Sequence, residues 1–203
     1  MPMSPEDFHA YAMQAADAEG RLPLSRMTSW EIFPFEQAGL QVVPLAPPSL
    51  PEPARDGENG ADCRGCRPSR ALVWSDEHWR LSLLAPSGVP LILILEPIAH
   101  HDLADLPDDL ASEMGLLITR IATAIESLPH IARAHVSRWG DGGAHLHVMF
   151  VARPAGFSQL RGSCLVMWDD LLPTVPDDQC KHDAAAVGEG LARSYGGLTA
   201  SLG

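Results

Sequence analysis

A nearly continuous apolar run, VPLILILEP at 89–97, constrains the fold of this chain more than any other feature. A run of this length bounded by turn residues is typical of a strand that is buried on both faces. Two further strands are predicted before it, at 71–76 and 78–85, with a tight turn between them. The segments 131–140 and 144–152 predict an antiparallel pair joined by the turn DGG. The sequence therefore predicts a central strand with antiparallel neighbours.

The segment 106–128 carries the clearest helical pattern in the sequence. Two aspartates stand near its start, where they favour a helix N-terminus. Its apolar residues recur at steps of three and four, which predicts one buried face. They are Leu110, Met114, Leu117, Ile121 and Ile125. The resulting order, β-β-β-α-β-β, predicts an α+β fold with a five-stranded antiparallel sheet and one main helix.

Less regular segments flank this core on both sides. Before it we expect a short acidic helix within 4–19, an extended arm at 30–45 and a mobile proline-rich loop at 46–62. After it we expect a tail at 159–173 and a helix at 181–195. The predicted organisation is an N-terminal arm at 1–62, a core domain at 63–155 and a C-terminal extension at 156–203 that packs on the core.

Composition narrows the classes of function. The chain has 203 residues, 46% of them hydrophobic, and a formal net charge of −12. That charge argues against a broad surface for nucleic acid or anionic membrane, although a local pocket can still bind a small phosphate-bearing ligand. There is no apolar run of membrane-spanning length and no signal-like N-terminus, so we expect a cytoplasmic protein. In a reducing compartment its four cysteines favour metal binding or free thiols over disulfides.

Two pairs of residues point to a metal site. His145 and His147 lie two apart in a predicted strand, so their side chains share one face. The thiols of Cys63 and Cys66 have the CxxC spacing that chelates one tetrahedral zinc ion, which then needs two more ligands. His145 is one candidate, and either His100 or His101, at the end of the apolar run, is the other. Such a set would leave His147 free beside the metal.

These segments together resemble the histidine triad superfamily, including its galactose-1-phosphate uridylyltransferase branch. The pieces come in the family's order over about half of the chain: CRGC, VWSDEHW, LILILEPIAHHDLADLP, a long helix and GDGGAHLHVMFVARP. The segment EPIAHHDLADLP is similar to the family's proline-x-x-histidine strand end. HLHVMF is similar to its triad of alternating histidines.

The resemblance implies a role for each matching residue. Cys63, Cys66, His100 and His145 match the ligands of a structural zinc ion, and His147 matches the histidine that attacks the α-phosphorus of a nucleotide. The phosphate-binding positions are Gly140, Gly142, Gly143 and Met149. Because the first strands of the family fold would build a nucleoside pocket, Trp74 and Trp79 are the candidates for stacking on a base. Arg138 could neutralise phosphate charge.

Two positions depart from the family pattern and leave the activity open. Met149 replaces the third histidine and cannot donate a hydrogen bond to phosphate, and Gly142 replaces a frequent serine. We therefore keep two hypotheses: a nucleotide hydrolase or nucleotidyltransferase acting through His147, and a degenerate zinc-containing protein that only binds a nucleotide or a partner. The expected ligand is a nucleotide or nucleotide conjugate, without nucleic acid polymer or membrane. Family members commonly dimerise, so a homodimer is expected.

Other zinc and iron enzymes with similar residues fit less well. A zinc-dependent deaminase needs His-x-Glu before its cysteine pair, whereas here CxxC precedes His-x-His. A cupin-like oxygenase would place a glutamate a few residues after the histidines, and VMFVARP follows His147 instead.

Overall fold

The structure is a computed structural model that describes residues 4–60, 62–67 and 69–202. The chain divides into two compact units, Met1–Ala54 and Arg55–Gly203. The segment 55–62, which the sequence analysis grouped with the arm, thus lies within the second unit.

The first unit is built from one short helix and turns. Helix α1 (Pro5–Met13) begins with a capping box, in which Ser4 and Asp7 each accept a hydrogen bond from the other's backbone N–H. The acidic helix expected within 4–19 is therefore confirmed in a shorter form. The extended arm expected at 30–45 is interrupted, because reverse turns bring the Phe33 N–H to the Trp30 carbonyl and the Leu40 N–H to the Gln37 carbonyl.

The second unit contains one antiparallel sheet of six strands in the order β4-β5-β3-β2-β1-β6. The strands are β1 (Ala71–Ser75), β2 (Trp79–Leu83), β3 (Ile92–Pro97), β4 (Ile131–Ser137), β5 (Val148–Pro154) and β6 (Leu198–Thr199). The predicted α+β fold is confirmed, with all five expected strands. The sixth has only two residues, too few to leave a recognisable pattern.

Strand β5 begins at Val148, four residues later than expected. The chain bends at Ala144 and His145, and the N–H groups before β5 bond outside the sheet: Ala144 donates to the Asp56 carbonyl and Leu146 to the His101 carbonyl. This short segment carries both His145 and His147.

Two helices cover one face of the sheet. They are α2 (Asp108–Glu126), the predicted main helix, and α4 (Asp177–Ser194), which begins four residues before its expected start. Leu117, Ile121 and Ile125 of α2 are fully buried in the cluster that also contains the inward side chains of the central strands. Within the described residues, no helix combines the length and apolar character needed to cross a bilayer.

The opposite face of the sheet carries a second, smaller apolar cluster. Ile92 and Val151 from the sheet pack there with Leu165, the first residue of α3 (Leu165–Leu171). Strand β3 therefore contributes Leu93 and Leu95 to one cluster and Ile92 to the other, which confirms a strand buried on both faces.

Candidate metal centre and active site

Four predicted ligands converge at one end of the sheet. Cys63 and Cys66 come from the loop before β1, His100 follows β3, and His145 precedes β5; their donor atoms all lie within 4.8 Å of one another. The Sγ–Nδ1 distances are 3.6 Å for Cys63–His145, 3.5 Å for Cys66–His145 and 3.4 Å for Cys66–His100.

These distances fit a tetrahedral zinc ion. Zn–S bonds of about 2.3 Å and Zn–N bonds of about 2.0–2.1 Å place a bound sulfur and a bound nitrogen about 3.5 Å apart. Four protein donors close the coordination sphere, as in structural zinc sites. The predicted cofactor, a structural zinc, is therefore supported by the donor set.

Backbone contacts orient His145 for metal binding. Its Nε2–H donates to the Pro97 carbonyl over 2.9 Å, which leaves the Nδ1 lone pair directed at the cysteines. Burial lowers the pKa of His145 and so favours the neutral imidazole that a metal requires. The ring packs against Gly65, where a Cβ atom would lie 2.5 Å from Cγ of His145. Glycine between the two cysteines is thus a steric requirement.

We expect Gly65→Ala to lower metal affinity about 10–100-fold, the usual cost of disturbing a ligand's supporting contacts. The added methyl group has to displace the His145 ring. Competition with a chromophoric chelator measures the affinity, and Gly115→Ala is the control because a Cβ there meets nothing within 4 Å. Equal affinities for Gly65→Ala and the wild type would contradict this account of the glycine.

The structure selects His100 over His101 as the fourth ligand. The backbone carbonyl of His101 accepts a hydrogen bond from the Leu146 N–H. The Nδ1 atom of the His101 ring lies 3.9 Å from Oδ1 of Asp105. His101 is absent from the four-residue cluster found among the described residues.

His147 lies beside the metal cluster and lines a cavity of about 490 Å³ together with Gly142 and Gly143. Its Nδ1 is 2.9 Å from the backbone carbonyl of His145. Because a carbonyl only accepts, Nδ1 is the donor, and in the neutral ring of this tautomer the lone pair is on Nε2. The structure thus brings the predicted nucleophile and two of the predicted phosphate-binding glycines together.

The glycine turn is held by the loop before the cysteines. The Asp56 N–H donates to the Gly142 carbonyl over 3.3 Å, and the Asp56 carbonyl accepts from Ala144 over 2.9 Å. Gly140 is not part of the cavity lining: its carbonyl accepts from Arg55, and a Cβ there would overlap the Arg138 guanidinium. Backbone hydrogen bonds thus tie the turn to this loop.

Arg138 is held by a carboxylate instead of lying free for a phosphate. Asp102 binds Arg138 through Oδ1 and Arg55 through Oδ2. Burial alone would raise the pKa of Asp102, but the Leu103 N–H and the two guanidinium groups lower it overall. The carboxylate is thus kept ionised, and this ion-pair network links the loop, the segment after β3 and the glycine turn.

Trp74 and Trp79 do not lie at the cavity. Both are fully buried. The indole N–H of Trp74 donates to the Gly196 carbonyl, and that of Trp79 to the Glu113 carboxylate. Neither ring offers a face to a nucleobase, which corrects the predicted stacking role. The C-terminal segment after α4 covers Trp74, and the sequence pattern of β1 held no sign of that cover.

Met149 also lies away from the cavity lining. It pairs with Ile94 and Ser137 in the sheet and packs against the second apolar cluster. Met149, at the third triad position, is therefore a packing residue in this chain and does not line the cavity that contains His147.

Sequence reasoning missed five charged residues of the cavity lining: Asp56, Arg64, Arg67, Arg70 and Glu96. The signal was present, because three arginines occur within seven residues directly around and after the second cysteine.

Of the comparisons with known proteins, the one with solved structures gives matches. No family model matches the sequence, and no curated protein does. Solved structures do match: a zinc-bound histidine triad family protein from Mycobacterium smegmatis has 19% identity over 64% of this chain and 94% of that one, with a TM-score of 0.49. The chain is similar to a histidine triad protein.

Two further histidine triad structures are also similar to this chain. A Hit-like protein of Bartonella henselae described as involved in cell-cycle regulation has 15% identity, covering 68% of this chain and all of that one (100%), with a TM-score of 0.49. A hypothetical histidine triad nucleotide-binding protein of Sulfolobus tokodaii has 14% identity over 68% and 100%, with a TM-score of 0.48. All three of these matched chains are described as histidine triad or Hit-like proteins, and the uridylyltransferase branch remains a prediction.

Proposed function

We propose that this protein binds a nucleotide or nucleotide conjugate in the cavity and cleaves it at the α-phosphate through His147. The observation that carries the proposal is the hydrogen bond from the Nδ1–H of His147 to the His145 carbonyl, which leaves Nε2 as a free nucleophile at the cavity wall. Gly142 and Gly143 lie across the same cavity, and a glycine turn lets backbone approach phosphate oxygens closely.

The reaction has two steps. The Nε2 lone pair of His147 forms a P–N bond, and the bond from phosphorus to the leaving group breaks with its electron pair on the leaving atom. A phosphate leaves as its anion, whereas an amine takes up a proton from solvent as it departs. Water or an acceptor hydroxyl then attacks phosphorus, loses its proton to solvent, and returns the lone pair to Nε2. A zinc ion held by the four ligands would supply structural support. Hydrolysis and transfer differ only in the second nucleophile.

The test compares wild type with His147→Asn on adenosine and uridine phosphoramidates and nucleoside diphosphate sugars. We expect turnover to fall by at least about 10³-fold, as when a covalent nucleophile is lost. Mass spectrometry at alkaline pH should show a nucleotidyl adduct on the wild type alone. His182→Asn, on the exposed surface of α4, is the matched control.

One observation favours a second function, nucleotide binding without turnover. Met149 packs against the second apolar cluster, so the third triad position offers no polar group to the reaction. If the wild type binds nucleotides but converts no substrate in the panel, the binding function replaces the catalytic one.

A further inference from the structure

Three arginines line the wall of the cavity that His147 also lines. Arg64 lies between the two ligand cysteines, and Arg67 and Arg70 lie between the second cysteine and β1. Their side chains are 84%, 68% and 39% exposed, so their guanidinium groups are accessible to a ligand. Neither the metal site nor the proposed attack on phosphorus uses them.

The three arginines give this part of the cavity a positive charge, whereas the whole chain has a net negative charge. The sequence holds 14 Lys and Arg residues against 26 acidic ones, yet three of the arginines face one cavity. An acidic protein repels a polyanionic ligand unless a local site reverses the sign. The cluster at this cavity is such a reversal.

The carboxylates near the arginines do not cancel them. Glu96 is shared between Arg80, at 3.2 Å, and Arg70, at 3.0 Å. Asp56 accepts the Arg64 N–H and lies 3.4 Å from its Nε. With Arg80 and the Arg67 partner Asp62 included, four guanidinium groups therefore meet three carboxylates.

Arg67 is the most readily available of the three. Its partner Asp62 is 96% exposed. An exposed ion pair of this kind is weak, so a phosphate oxygen can displace the carboxylate.

We infer that Arg64, Arg67 and Arg70 bind a second phosphoryl group, so that the substrate contains a phosphoanhydride rather than a single phosphorus with an uncharged leaving group. This inference rests on the proposed function. In the proposed reaction His147 attacks the first phosphate and the glycine turn binds its oxygens. The guanidinium groups are therefore left to bind the oxygens of a second phosphate, for which their bidentate geometry is suited.

Binding to the inert His147→Asn protein tests the inference without knowledge of the base. Isothermal titration with inorganic phosphate and with pyrophosphate is expected to show at least about tenfold tighter binding of pyrophosphate, since each charge-assisted contact contributes roughly tenfold. Adding Arg64→Gln and Arg67→Gln should bring the two affinities together. Arg193→Gln, which removes one exposed positive charge on α4, should leave the ratio unchanged.

Turnover gives an independent readout. In the otherwise wild-type enzyme, Arg64→Gln with Arg67→Gln should lower kcat/KM about 100-fold for a nucleoside diphosphate sugar, and less than about threefold for the phosphoramidate of the same nucleoside. Equal losses on both substrates, or no loss on either, would overturn the inference while leaving the His147 chemistry intact. If His147→Asn has no effect on turnover but the pyrophosphate preference still depends on the arginines, the catalytic proposal fails and the anion site stands.

Discussion

His100→Ala is expected to abolish stoichiometric zinc binding and to unfold the second unit at a much lower temperature. Its Nδ1 is 3.4 Å from the Cys66 sulfur, and the four ligands join chain segments from residue 63 to residue 145. A structural zinc site contributes folding free energy directly. A loss of about 4 kcal/mol would lower Tm by roughly 8–16 °C, at ~2–4 °C per kcal/mol for a chain of this size.

The neighbouring histidine provides the matched control. His101→Ala removes an imidazole one residue away whose ring lies outside the cluster, so metal content should stay at one ion per chain. Elemental analysis after dialysis measures the content, and calorimetry measures Tm. A strong chelator should lower Tm of the wild type and of His101→Ala, with little further effect on His100→Ala. Full zinc occupancy in His100→Ala would refute the assigned ligand set.

Arg80→Met is expected to lower the free energy of unfolding by about 3–5 kcal/mol, the usual result of removing one partner from a buried ion pair. Arg80 and Glu96 are only 7% and 3% exposed. Arg80 also donates to the Gly65 carbonyl, so it connects β2 to the metal-binding loop. Without Arg80, the carboxylate of Glu96 keeps only the contact with Arg70, and metal affinity should fall as well.

A paired substitution separates lost charge balance from lost packing. Because apolar replacement of both partners removes the unpaired charge, Arg80→Met with Glu96→Leu should recover more than half of the lost stability. Urea denaturation of the metal-loaded proteins measures these differences. A single Arg80→Met variant that stays within about 1 kcal/mol of wild type would show that the pair is not effectively buried.

The sheet and the metal ligands were predictable because their patterns are local. The apolar run that became β3, the helical spacing of α2 and the CxxC pair each reflect constraints within a few residues. The choice between His100 and His101 as the fourth ligand could not be predicted from the sequence. It depends on where β3 ends and on the Leu146 N–H, which donates to the His101 carbonyl.

The errors in the predicted site arise from contacts distant in sequence. Trp74 is covered by Tyr195 and Gly196, more than a hundred residues away, so an aromatic residue in β1 could not be distinguished from a base-stacking one. The three arginines Arg64, Arg67 and Arg70 are close together in the sequence. Only the fold shows that they line the same cavity as the glycine turn.

His145 serves two neighbours at once: its ring faces the cysteines, while its own carbonyl holds the His147 imidazole. The backbone of this one residue therefore connects the metal site to the nucleophile. Without the ion, small rotations of the His145 backbone would change the orientation of the His147 imidazole. Catalytic activity should therefore depend on the metal content of the protein.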